Sequence, residues 1–441
     1  MLEFFDIIVG IIYLVLIFII LHLFFNARDP KNEYLFTGIY IKIIGGISLG
    51  LVFYYYYGYG GDTQSYFETS KAFTKLFFKD PISYYKALFA KDYELPFYFD
   101  KETGYIWFAV NDKYAIFTSK IFSLINIFTF NSYIGLSILT SVIVFSGYWK
   151  LFYVFKKEFP DVKKNLAIAI FFIPSVVFWA SGILKDSLIL SSAGWFTYCI
   201  YKFFIEKTFK IKYLLGILFF IFIIINIKPY VIIALLPGTI IWIFYDRAIR
   251  IKNNVIKFFI IPFFFIISIG IGIFTITQFG SVLGDYSIEN INKKAIITQQ
   301  DLKRIEYSAN SFDIGEFDGS FQSYLSKAPL AINAALFRPY IWEARNPVMI
   351  LAGLENIFIL GLTLFLLLKL KFIGFFKYIF KNPLLLFSIL FSLIFAYSVG
   401  MTISNFGALV RLKTPAMPFY VSSIFIIFYL YSKEKNKKRI N

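Results

Sequence analysis

The chain has 441 residues, of which 59% are hydrophobic and 22% aromatic, and it carries a formal net charge of +17. No soluble domain of this size buries such an apolar fraction, so a globular cytosolic enzyme is excluded. The repeated apolar runs instead match the ~20 residues a helix needs to cross a bilayer, and the ~10-residue alternating segments of a transmembrane barrel are absent.

The charge follows the same logic. Lys and Arg outside two long loops collect on alternate connections between apolar runs, as cytoplasmic loops do. No basic soluble domain is present, which excludes nucleic acid as a partner. The richness in Lys, Ile, Phe, Asn and Tyr also has the form of a genomic base-composition bias, so raw counts of these residues carry little weight. Cys199 is the only cysteine and His22 the only histidine, both inside apolar runs. That removes an internal disulfide, a Cys-based metal site, His-triad catalysis and a His metal cluster. The start of the chain lacks a basic n-region and a small-residue cleavage site, so the first apolar run is expected to be retained.

In chain order the hydropathy pattern predicts about eleven spans in one all-α, polytopic membrane domain covering 1–441. The first two cover 7–25 and 35–57. A long loop, 58–131, follows; it is aromatic and amphipathic, and 81–89 and 114–128 are expected to lie along the membrane surface. Further spans are expected at 132–155, 166–182, 185–204, 213–227, 229–245 and 258–279. A second long loop, 280–346, carries both charge signs. The last spans are expected at 347–370, 383–400 and 414–431, before a basic tail, 432–441. The basic connections place the N-terminus outside, the C-terminus in the cytoplasm, and both long loops on the extracytoplasmic side. No internal repeat is visible, which weakens an inverted-repeat transporter.

Five polar constellations collect on that outer side. In Gly60-Gly61-Asp62-Thr63-Gln64-Ser65-Tyr66-Phe67 the glycines permit a sharp exit from the bilayer, and Tyr66 follows Asp62 by about one helical turn. Asp62 suits a general base or, equally, a helix N-cap. Lys185 and Asp186 occupy a tight hairpin turn at membrane depth or just above; ionised groups there are paired or functional. The alternative is a snorkelling lysine with a capping aspartate. Lys228-Pro229-Tyr230 is a second minimal turn carrying a cation against the prevailing bias, or an interface anchor. The segment Phe337-Arg338-Pro339-Tyr340-Ile341-Trp342-Glu343-Ala344-Arg345-Asn346 re-enters the membrane. Arg338 and Arg345 offer planar forks for phosphate, Trp342 and Tyr340 fit an aromatic belt, and an internal Arg338–Glu343 ion pair is the plainer reading. Glu355 and Asn356 follow inside a span. The fifth constellation, 404–415, contributes Arg411 and Lys413. Together these form an expected cationic ring around one or two carboxylates at one membrane face.

A sugar carried on polyprenyl phosphate matches this chemistry. Its tail requires the bilayer, its phosphate requires Arg or Lys, and its transfer to a hydroxyl requires a base. No Gly-rich nucleotide loop is present. The GGDTQSYF segment after an early span, followed by amphipathic helices, resembles the first-loop acidic motif of the GT-C class of membrane glycosyltransferases. The many spans, large outer loops and outward-facing Arg also resemble O-antigen and capsule repeat-unit polymerases. The resemblance covers architecture over most of the chain, and specific residues only around Asp62, Lys185-Asp186, Arg338 to Arg345, and Arg411. It implies Asp62 as catalytic base; the residues themselves offer Asp186 and Glu343 in reserve. It also implies an outer-loop Arg or Lys as phosphate ligand; the constellations offer Lys185, Lys228, Arg338 and Arg411 for that clamp, with Tyr66, Trp342, Arg345 and Lys413 as further substrate-binding candidates. The acid follows the second span rather than the first, and no Asp-X-Asp or Glu-X-Asp pair stands there. No cofactor is firmly implied, and a divalent metal is compatible with the carboxylates. The expected partners are a polyprenyl-phosphate-linked sugar, a glycan acceptor and the lipid bilayer, in the cytoplasmic membrane of a bacterium. The rival expectation is a flippase for lipid-linked oligosaccharide, which would carry charge in the middle of several spans; a purely structural subunit is the other.

Overall fold

The computed structural model describes residues 3–58, 61–106, 112–249, 312, 315 and 321–440. Among these residues the secondary structure is helical, with no strand. Six helices are long and apolar enough to cross a membrane, or seven if one bent pair is a single span, compared with the eleven expected from hydropathy. The difference has identifiable sources. The expected span 258–279, most of the loop 280–346, and Gly60 lie outside the described residues. The expected span 166–182 is broken: Pro174 cannot continue the ladder and disfavours helix at the residue before it. The result is two short helices, α7 (Lys163–Phe171) and α8 (Pro174–Trp179). The helices α10 (Ile211–Ile227) and α11 (Pro229–Ile249) each contain an apolar stretch of 17 residues or fewer.

The chain packs as two compact units. The first comprises Met1–Leu151, Val176–Thr197 and Leu218–Lys228. It contains α1 (Phe4–Phe24), α2 (Leu35–Tyr55), three helices from the first long loop, most of α6 (Tyr133–Glu158) and most of α9 (Lys185–Ile200). The loop helices are α3 (Asp62–Lys79), α4 (Pro81–Phe89) and α5 (Lys113–Thr129). Asp80 caps α4 and Asp112 caps α5, each accepting from two backbone amides. Phe73, Leu76, Tyr84, Leu95, Phe99 and Ile116 close a small core beneath them. Phe78, Phe89, Phe97 and Phe128 of this region are exposed. The end of α5 lies against α1, where Tyr13 donates to the Phe128 carbonyl. Asp6 of α1 is buried and caps α6, accepting from the Tyr133 amide at 2.7 Å and the Ser132 hydroxyl at 3.0 Å.

In this unit the chain reverses at residues 180–184, between α8 and α9. A side chain on Gly45 would strike the Val177 carbonyl, and Gly182 lies against Gly46 and Leu49. Those contacts are six to ten residues short of the end of α2 at Tyr55, roughly 9–15 Å along its axis at ~1.5 Å per residue. The turn therefore sits well inside the length of an apolar helix, where non-helical backbone survives only if protein satisfies it. Tyr148 and Ser141 do so, and Lys42 adds a second donor to carbonyls that already have one. The Lys42 ammonium donates to the Val176 carbonyl at 3.1 Å and the Ala180 carbonyl at 3.3 Å. Tyr148 donates to the Ala180 carbonyl at 2.6 Å, and Ser141 to the Ser181 carbonyl at 2.8 Å.

The second unit comprises Phe152–Ser175, Tyr198–Ile217 and Pro229–Asn441. Its later helices are α12 (Phe321–Phe337), α13 (Pro347–Lys381), α14 (Pro383–Thr402), α15 (Phe406–Leu412) and α16 (Met417–Ile440). Asn346 and Asn382 cap α13 and α14, each followed by a proline at the first helical position. The helix α14 is the centre, with 72% of its apolar window buried, and packs on α11, α12, α13 and α16. By contrast α13 has 17% of its window buried and lies at the periphery. Lys371, with φ 56°, bends α13 where the expected span 347–370 ends. The helices α15 and α16 meet at 69°, so the expected span 414–431 is preceded by a short oblique segment.

Gly45→Val should cost about 1–3 kcal/mol, because its added atoms meet fixed backbone. Gly361→Ala, where nothing lies within 4 Å, should be neutral or stabilising. Thermal unfolding in detergent checks both, and equal effects would contradict the close approach of α2 and the turn.

Candidate functional site

Four helices of the first unit bring five charged residues to the start of α9. Lys185 and Asp186 open that helix directly after the buried turn. Lys185 pairs with Asp112 at 2.9 Å, and the same carboxylate caps α5 through its other oxygen, at 2.9 and 3.1 Å. One aspartate thus ties the start of α5 to the start of α9. Burial alone would raise the Asp112 carboxyl, but the Lys185 ammonium and the two amides outweigh it and hold the group below the ordinary carboxylate value. Asp62 is the first residue of α3, after Gly61 at φ 97°, and it lies within electrostatic reach of Lys185. Gly61, not Asp62, occupies the cap position. Tyr66 follows one turn later; its buried ring lies 5.7 Å from the Lys185 ammonium, a cation–π distance.

Asp186 pairs with Lys228, which ends the turn between α10 and α11. Their side chains are 0% and 8% exposed, whereas Asp112 is 47% exposed and Lys185 12%. The two pairs therefore differ in kind. Lys228–Asp186 is a sealed ion pair, and Lys185–Asp112 opens outward. Lys228 is also within electrostatic reach of Lys185.

In the second unit the predicted residues form a separate constellation. Arg338 grips Glu343 with its Nε at 3.0 and 3.1 Å from the two carboxylate oxygens, and with a further bond from Nη2. Glu343 also accepts from the Tyr340 amide at 2.9 Å. The guanidinium lies 4.7 Å from the Phe312 ring centre and 5.1 Å from that of Phe406. Trp342 stacks on Tyr340 at 4.8 Å and is exposed, as is Arg345. Lys413 is buried; it donates to the Asn356 side chain and to the Leu336 carbonyl at 3.4 Å. Arg411, half-buried, lies in α15. Glu355 accepts from the Ser175 amide at 2.8 Å and its hydroxyl at 2.6 Å, holding the start of α8.

Asp62, Tyr66, Lys185, Asp186 and Lys228 thus come together in the first unit, and Arg338, Trp342 and Glu343 in the second. Asp6, Lys42 and Asp112 were not singled out from the sequence. Asp6 and Lys42 stood visible as charges within apolar runs. Asp112 carried only a weak capping signal before α5. Among the described residues no group of three or more His, Cys, Asp or Glu side chains is placed to hold a metal. No family model, curated protein or solved structure matches the chain.

Lys228→Met should cost about 3–5 kcal/mol by removing the cation beside buried Asp186. The double variant Lys228→Met/Asp186→Leu should recover most of that loss in thermal unfolding. Additive losses would contradict the sealed pair.

Proposed function

We propose that this chain is a membrane glycosyltransferase or polysaccharide polymerase. It would transfer sugar from a polyprenyl-phosphate-linked donor at the extracytoplasmic face of a bacterial cytoplasmic membrane, during assembly of surface polysaccharide. The observation that carries this reading is the meeting of Asp62, Tyr66, Asp112 and Lys185 at the start of α9, beside the sealed Asp186–Lys228 pair. The basic connections orient that end outward, with the N-terminus outside and the C-terminus in the cytoplasm.

Asp62 takes the proton of the acceptor hydroxyl as its oxygen attacks the anomeric carbon of the donor. The anomeric carbon–oxygen bond to phosphate breaks, and its electron pair leaves on the phosphate. Lys185 meets the charge that develops there, exchanging Asp112 for the phosphate, with Lys228 adding to the field. Asp186 and Glu343 are each engaged by a cation, Lys228 and Arg338 respectively. The phosphate is assigned to Lys185 because its partner Asp112 is half-exposed, so a solvent anion can replace it.

The flippase is the second reading, favoured by Lys42 and Glu355, two charges inside long apolar helices. In that reading the protein moves lipid-linked oligosaccharide across vesicles without consuming an acceptor.

The test is transfer in proteoliposomes containing a polyprenyl-phosphate-linked sugar and a glycan acceptor. Asp62→Asn should lower turnover by at least ~100-fold while inserting normally, as loss of a general base does. Full activity in that variant would remove Asp62 as base. Movement without transfer in the parent protein would favour the flippase.

A further inference from the structure

The charge in α2 serves neither the proton transfer nor the phosphate described above. Lys42 is wholly buried. Among the described residues its hydrogen bonds go to two carbonyls, and its ammonium lies 3.7 Å from the centre of the Tyr148 ring. An ammonium without a carboxylate is costly at this depth. A methionine would fill a similar length at lower cost.

Hydrogen-bond satisfaction alone does not require the lysine. The Val176 carbonyl already accepts from the Ala180 amide at 3.2 Å, and the Ala180 carbonyl from Tyr148. What the cation adds is a tie from α2 to both carbonyls and to the α6 ring beside them. The turn so held leads within six residues to Lys185 and Asp186, and Tyr148 lies within electrostatic reach of Asp186.

We propose that Lys42 is a positioning residue: its ammonium fixes the buried turn 180–184 and thereby the place where Lys185 and Asp186 emerge. The charge is kept for placement rather than for stability. The catalytic consequence rests on the reading of the start of α9 as the reactive site; the hold on the turn does not.

The experiment uses the full chain in lipid nanodiscs, with Cys199→Ser and a single reporter cysteine, Ile183→Cys, in the buried turn. A membrane-impermeant maleimide reads how often the turn opens. Lys42→Met and Lys42→Gln should each label about tenfold faster than the parent, and Lys42→Arg, which restores the cation, should return most of the way. Melting temperature in Lys42→Met should be unchanged or higher. Its sugar transfer should fall by about 10–100-fold in kcat, through misplacement of Lys185. Equal labelling of the parent and Lys42→Met would overturn the proposal. If that variant does not insert, equal labelling of the parent and Lys42→Gln would do so. A parent protein that transfers no sugar would sink the catalytic reading, while the labelling comparison would still decide what Lys42 holds.

Discussion

A backbone carbonyl inside hydrocarbon must find a donor within the protein, and the rest of this structure follows from how residues 180–184 meet that demand. The turn lies beside Gly46 and Leu49, well within the length of α2. Glycines let the backbones approach, while Lys42, Tyr148 and Ser141 supply donors. Because the turn is sunk to that depth, the first residues of α9 begin below the end of α2. Two charged residues thereby reach an apolar setting, where each needs a partner.

The partners separate support from chemistry. Asp186 and Lys228 are sealed from solvent, and breaking such a pair costs far more than forming it gains. They are the more deeply buried pair. Asp112, the partner of Lys185, is half-exposed, so an anion from solvent can compete with it. Asp62 enters from α3, positioned by the left-handed Gly61. In the proposed reaction the buried pair sets the field and the other groups exchange partners with the substrate.

Much of the helical plan was legible in the sequence because its signals are local. Asp80-Pro81, Asn346-Pro347 and Asn382-Pro383 announce helix starts, and the structure has helices there. The amphipathic segments 81–89 and 114–128 became α4 and α5. Hydropathy failed at Pro174, since an apolar run does not reveal whether one proline kinks a span or divides it. The Arg338–Glu343 pair was readable because the residues are five apart and share a turn. The partners of Lys185 and Lys42 were not readable. Asp112 lies 73 positions from Lys185, and the carbonyls that hold Lys42 lie 134 and 138 positions away. Those pairings are made by packing, which no local pattern encodes.

The central claim is that the outward pair at the start of α9 receives a lipid-linked phosphate. Binding of a polyprenyl phosphate without its sugar, titrated into the full chain in nanodiscs, tests it most directly. Lys185→Gln should weaken binding by about tenfold, the loss of one charge-assisted contact worth ~1.4 kcal/mol. Equal affinity in the parent and the variant would contradict the account.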